Sequence, residues 1–316
     1  MSYHLTEANL RRLAVNIDDL KQRFGGDSAL TFEHGEGGLP RVRISTAAGE
    51  AMAYGHGAHL THWQPRGHAP VLFMSSASQF AQGQPIRGGV PVCYPWFGPR
   101  PDQPDAPAHG LVRTQAWELI DAGVNDDGTA RLAFSFHSSS LSQPWFAGEY
   151  EVICRMSFGE ALTLSLETAN HGDQPISITE ALHTYFHVKD IEQVTLDGFG
   201  GASYHDKVAA GKLTEQVDDP MRFAGETDRA FLGHTQASCI NDPGLHRRIH
   251  ITKAGSQSSV VWNPWVDRAK IMPDLGDDDW RTFLCVEAAN ALSDAVTIEP
   301  GGTHAISQTI RVEAMS

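Results

Sequence analysis

The sequence predicts an all-β fold, a large antiparallel sandwich in one domain with a short helix in front of it. Three observations predict it: apolar and polar residues alternate with period two through most of the chain, Gly, Pro, Asn and Asp cluster between the alternating runs, and no succession of strand and helix patterns suggests a parallel sheet.

The helix comes first. Leu10, Leu13, Ile17, Leu20 and Phe24 recur at spacings of three and four, Thr6 suits the N-cap, and Gly25-Gly26 ends the run, so residues 1–26 are expected to form a helical extension. Strand patterns follow at Val42/Ile44, Leu132/Phe134/Phe136, Tyr150/Val152/Cys154/Met156/Phe158 and Leu162/Leu164/Leu166. They return at Ile249/Ile251, Phe283/Cys285 and Ile306/Ile310/Val312. The stretch Pro91 to Pro107 carries Tyr94, Trp96 and Phe97, too many aromatic residues for a flexible linker, and is expected to be an ordered loop over a site. Neither a composition break nor an internal repeat divides the chain, so residues 1–316 are expected to form one domain. A chain of this length buries roughly 75% of its unfolded surface.

Composition excludes several classes. Hydrophobic residues make up 41% of the chain, ordinary for a soluble protein, and no run of about 18 apolar residues would span a membrane. Met1-Ser2-Tyr3-His4 lacks the basic region and apolar stretch of a secretory signal, so the cytoplasm is the expected compartment. Cys93, Cys154, Cys239 and Cys285 lie far apart with no CxxC pair, which argues against zinc and for reduced, mostly buried thiols. No metal or other cofactor is expected. A net charge of −14 argues against nucleic acid. It does not exclude an anionic small molecule: one arginine at about 4 Å contributes roughly 4 kcal/mol at an effective dielectric near 20. Charges beyond about 10 Å are largely screened.

Three stretches carry the chemistry. The first runs from Gln79 to Arg113 and contains Ile86-Arg87-Gly88-Gly89, Trp96-Phe97-Gly98 and His109-Gly110-Leu111-Val112-Arg113. Paired glycines beside an arginine let backbone N–H groups approach an anion while the guanidinium grips it; a tight turn with a solvated arginine has the same sequence signature. The second is Thr179-Glu180-Ala181-Leu182-His183-Thr184-Tyr185-Phe186-His187. His183 is flanked by aromatic residues that hold an imidazole away from bulk water, where it suits proton transfer, although most of the chain's 16 histidines must be structural or exposed. The third holds Trp262-Asn263-Pro264-Trp265, the acidic run Asp277 to Asp279, and Phe283-Leu284-Cys285-Val286-Glu287. A carboxylate at the end of such an apolar run is either a positioned base or a strand-end residue turned to solvent.

Taken together and in this order, Ile86-Arg87-Gly88-Gly89, His109-Gly110-x-x-Arg113, Leu182-His183-Thr184-Tyr185-Phe186, Trp262-Asn263-Pro264-Trp265 and Cys285-Val286-Glu287 resemble the glucose-6-phosphate 1-epimerase branch of the aldose 1-epimerase (mutarotase) family, from about Phe32 to Val312. The resemblance implies a galactose-mutarotase-like supersandwich with a groove on one concave sheet. It makes His183 and Glu287 the catalytic pair, and Arg87, His109, Arg113 and Asp228 the substrate-binding residues. Ala108 stands where that branch often has Gln. The implied reaction interconverts the anomers of a hexose 6-phosphate, with Glu287 as base and protonated His183 as acid, in a monomer whose partner is a sugar phosphate rather than nucleic acid or membrane. Two other classes stay open: a carbohydrate-binding module without chemistry, and a glycoside hydrolase using Asp228 and Glu287 as its two carboxylates. An unphosphorylated aldose is the alternative substrate. Trp262 and Trp265 offer a stacking wall for the sugar or simple core.

Overall fold

The structure, a computed structural model, describes residues 16–100, 102–141 and 145–315. Thr6, Leu10 and Leu13, on which the helix pattern begins, lie outside the described residues. What is described is the helix Ile17–Phe24, capped by Asn16, whose side-chain oxygen accepts the Asp18 N–H at 2.9 Å. Acidic residues fill its first turn and basic residues its last, as the helix dipole favours. Ile17 and Leu20 turn inward, and Phe24 meets the ring of Phe32.

The rest of the described chain is mainly β-structure built from antiparallel pairs. A nine-stranded sheet runs in the order Met221–Arg222, Thr195–Asp197, Ser238–Asp242, Arg247–Ala254, Thr303–Ala314, Ala161–Asn170, Tyr150–Phe158, Ala130–His137, Glu118–Val124. An eight-stranded sheet runs in the order Lys212–Glu215, Ser203–Asp206, Thr227–Leu232, Ser258–Asn263, Phe283–Asn290, Glu180–Leu182, Val92–Cys93, with Tyr185–His187 also paired to Phe283–Asn290. A four-stranded meander, Leu30–His34 to His59–Pro65, and a two-stranded pair complete the architecture. Every strand pattern read from the sequence falls within one of these strands.

Burial explains why some strands were legible and others not. In Tyr150–Phe158 the residues Tyr150, Val152, Cys154, Met156 and Phe158 are buried and those between are not, the mark of a sheet wet on one face. Phe283–Asn290 is buried at every position, because one face meets the core and the other lies under the aromatic side chains around His183. Short strands such as Glu180–Leu182 and Tyr185–His187 carry too few residues to show a period. The two large sheets meet through Gln308, whose amide donates to the Val286 carbonyl at 2.9 Å and accepts from the Thr184 hydroxyl. That contact pins both strands that carry the groove's proton-transfer candidates.

Candidate active site

Strand register assembles the centre. Leu182 pairs with Ala288 and Tyr185 with Cys285, so in the same register His183 lies opposite Glu287. Alternation sends Ala181, His183 and Tyr185 to one face, with Cys285, Glu287 and Ala289 beside them. Directly opposed side chains on one face of an antiparallel pair are close neighbours. Here His183 Nε2 and Glu287 Oε1 stand 3.4 Å apart. The His183 N–H donates to the Pro91 carbonyl on the far side, which ties the histidine's backbone to the segment leading into Val92–Cys93.

Aromatic residues fix the imidazole. The Tyr185 ring stacks on it at 4.9 Å and 12°, while Phe97, His109 and Trp262 present themselves edge-on at 5.6 to 6.3 Å. Trp262 therefore walls the groove, whereas Trp265 packs on Trp280 at 4.4 Å beneath the short helix Trp265–Lys270. Asn263 holds that corner by donating to the carbonyls of Trp280 and Phe283. Phe97 belongs to the Pro91–Pro107 stretch, which is ordered where described: Trp96 donates to the Pro107 carbonyl at 2.9 Å, and residue 101 lies outside the described residues.

The pair is deeply enclosed, His183 7% and Glu287 1% exposed. Burial pushes the Glu287 carboxyl well above its ordinary range, with Lys207 opposing the rise and Asp228 adding to it. Burial pushes the His183 imidazole well below its own, helped by His109, Arg87 and Arg113. The uncharged carboxylic acid with neutral imidazole and the carboxylate with imidazolium hold the same number of protons. The site therefore favours one shared proton over a wide pH range and penalises both its loss and a second gain. Among the described residues neither His183 Nδ1 nor Glu287 Oε2 has a hydrogen-bond partner, although both are buried. Buried polar atoms are ordinarily satisfied, so these two stand out, as do both carboxyl oxygens of Glu180 on the other face of the sheet.

The other sequence-derived candidates surround this centre. His109, at φ +65°, packs edge-on against Phe97 and is driven down to about 3 by burial and by the charges of Arg113, Lys207 and Arg87, so it acts as a neutral ring. Asp228 lies on Thr227–Leu232 opposite Trp262, and its carboxylate forms an ion pair with Lys207 at 3.2 Å. Arg113 donates to the Ala108 carbonyl at 2.8 Å, and no carboxylate lies within ion-pair distance among the described residues. That contact gives position 108 a role through its backbone whatever its side chain. Arg87 differs: its fork grips Asp274 at 2.9 to 3.1 Å, and a further N–H donates to the Tyr185 hydroxyl at 2.9 Å. Asp279 braces the Asp274 loop by accepting from Ser75, Ser76 and Gly276.

Of the two readings open for the glycine pair beside Arg87, the structure supports the tight turn: the Gly89 N–H donates to the Phe73 carbonyl and the Gly88 carbonyl accepts from His59. A Cβ on Gly89, at φ +61°, would stand 2.2 Å from the Leu60 carbonyl oxygen. These glycines let the chain pass close to neighbouring strands. Lys207 carried no signal that reading by motif picks up, and nothing in the sequence pairs Asp274 with Arg87, since both join the site only through segments distant in sequence.

The aldose 1-epimerase family model matches residues 40–311. A protein of Escherichia coli strain K12, provisionally named glucose-6-phosphate 1-epimerase, is 37% identical over 273 residues, 86% of this chain and 88% of its own length. A Salmonella typhimurium protein of the same provisional name is 35% identical over the same shares. Among solved structures, a provisionally named mutarotase from Salmonella typhimurium superposes with a TM-score of 0.85 at 29% identity, covering 98% of this chain and 100% of that one.

Proposed function

The chain belongs to the aldose 1-epimerase family, and from that premise we propose that it interconverts the α and β anomers of a hexose 6-phosphate, D-glucose 6-phosphate first, with Glu287 and His183 as the proton-transferring pair. One observation carries the assignment of roles: a cross-strand acid and base at 3.4 Å, each with a buried polar atom that has no partner among the described residues. A pure binding module has no need of such a pair. A glycoside hydrolase would need Asp228 as the second carboxylate beside Glu287, and Asp228 is held in an ion pair by Lys207 while an imidazole directly faces Glu287.

In the working direction the Glu287 carboxylate takes the proton of the C1 hydroxyl. The O1–C1 bond becomes a carbonyl as C1–O5 breaks, and the His183 imidazolium delivers its proton to O5. Rotation about C1–C2 presents the other carbonyl face. The ring closes with the two roles exchanged, and each group recovers its starting proton count. Each positioned transfer is worth about 10²- to 10⁴-fold in rate. Asp228 and His109 border the groove where sugar hydroxyls would lie, and Trp262 offers its ring to the sugar face. The whole chain acts as one catalytic domain in this reading.

For the phosphate, Arg113 is the better supported anchor because no carboxylate neutralises it, while Arg87 braces the Tyr185 side of the groove through Asp274. The occupied fork of Arg87 also favours a second reading, an unphosphorylated aldose as substrate. Exchange NMR of anomerisation separates them. Glucose 6-phosphate should turn over with a kcat/KM at least roughly tenfold above that of glucose, the value of one charge-assisted contact. Equal values for the two sugars would remove the phosphate from the assignment.

A further inference from the structure

We propose that Lys207 is a positioning residue of the Glu287–His183 pair: anchored across the groove to Asp228 and Phe97, it holds its charge where it draws the shared proton off the carboxyl and onto the imidazole. This rests on the reading of Glu287 and His183 as base and acid.

The anchoring is explicit. The Lys207 ammonium lies 3.2 Å from Asp228 Oδ1 and 5.2 Å from the centre of the Phe97 ring, so one charge bridges the Thr227–Leu232 strand and the aromatic loop over the histidine. Its backbone is fixed too. The Lys207 N–H donates to the Asp228 carbonyl at 2.9 Å, and Asp206 accepts from the next two N–H groups, closing the turn. Register places Glu287, Val260 and Ala230 in one row of a single sheet face, and Asp228, two residues from Ala230, points to the same face, so the ammonium paired with Asp228 lies on the Glu287 side of the sheet.

The surrounding charges decide the direction. Around Glu287 stand His183 across the strand pair, Cys285 on its own strand, Cys93 beyond Ala181, and the Lys207–Asp228 pair; among the charges Lys207 is the strongest influence and favours the carboxylate, with Asp228 opposing it. His183 feels His109, Arg87 and Arg113, all of which disfavour imidazolium. Burial biases the shared proton toward Glu287, the form that cannot accept a proton from a sugar hydroxyl, and Lys207 opposes that bias. Lysine at this place supplies what the arginines withdraw.

Exchange kinetics on glucose 6-phosphate across pH, with wild type, Lys207→Met, Lys207→Arg and Glu287→Gln, test this. Lys207→Met should lower kcat roughly tenfold, the effect of one nearby charge on a titrating group, and slide the pH profile upward so that the loss is greatest on the acid side. KM should move little, and Lys207→Arg should restore most of kcat. A Lys207→Met enzyme with wild-type kcat and profile overturns the proposal, as does a loss confined to KM, which would make Lys207 a contact to substrate. An active Glu287→Gln enzyme would instead sink the acid–base reading itself.

Discussion

The eight-stranded sheet carries two buried glutamates that each meet a histidine, one on each face, the second histidine coming from the nine-stranded sheet. Glu287 meets His183 at 3.4 Å in the groove; Glu180 meets His304 at 3.2 Å on the interior face, beside Asn290, its partner in register. Both carboxyls are essentially unexposed, and burial raises both above their ordinary range. By isolation from water alone the two could not be told apart. The difference lies in what surrounds them. His183 is caged by four rings and feels Arg87 and Arg113, and Glu287 feels Lys207, whereas His304 also contacts Asn290, whose amide is held in turn by Asp294. A perturbed buried acid becomes a candidate for catalysis when specific cations and a caged histidine surround it, and is otherwise a local cost of the fold.

The sharpest way to break this comparison is to neutralise each carboxyl. Glu287→Gln should cost about 10²- to 10⁴-fold in kcat with the fold intact, and Glu180→Gln should leave kcat near wild type. Comparable losses in the two variants, measured by anomer exchange, would show that the distinction between faces is wrong.

A smaller effect separates the cations of the groove. Arg113→Ala should lower kcat/KM for glucose 6-phosphate roughly tenfold to a hundredfold and leave any activity on glucose almost unchanged. Arg87→Ala releases Tyr185 and Asp274 and should depress both substrates together. Selective loss in Arg87→Ala instead would move the phosphate to that arginine.

The smallest effect concerns stability on the interior face. A carboxyl whose folded pKa is raised binds its proton more tightly in the native state, so it costs stability progressively as pH rises above the ordinary carboxylate value. Glu180→Gln removes that cost. Its melting temperature relative to wild type should therefore be higher at pH 7 than at pH 4, by roughly 2 °C, which about 1 kcal/mol produces in a chain of this size. A constant difference across that range would mean that His304 already compensates the charge.

Sequence by itself determined the class of fold, because a sheet with one wet face must alternate, and Tyr150–Phe158 or Ala161–Asn170 alternate along their whole length. It also supplied His183 and Glu287 as candidates, since Leu182-His183-Thr184-Tyr185-Phe186 and Cys285-Val286-Glu287 set polar groups in apolar runs. What it could not carry was which polar groups meet. The partner of Arg87 is Asp274, 187 residues away, and the histidine facing Glu287 rather than Glu180 is fixed only by strand register. Gly88-Gly89 read as an anion cradle because the residues permit one; only the neighbouring strands show that the N–H of Gly89 is already used. Local pattern reports which face a residue prefers, a property of its own chain segment. Pairing across strands, and hence electrostatics and proton sharing, depends on segments brought together by the packed core, and that information exists only once the sheets have formed.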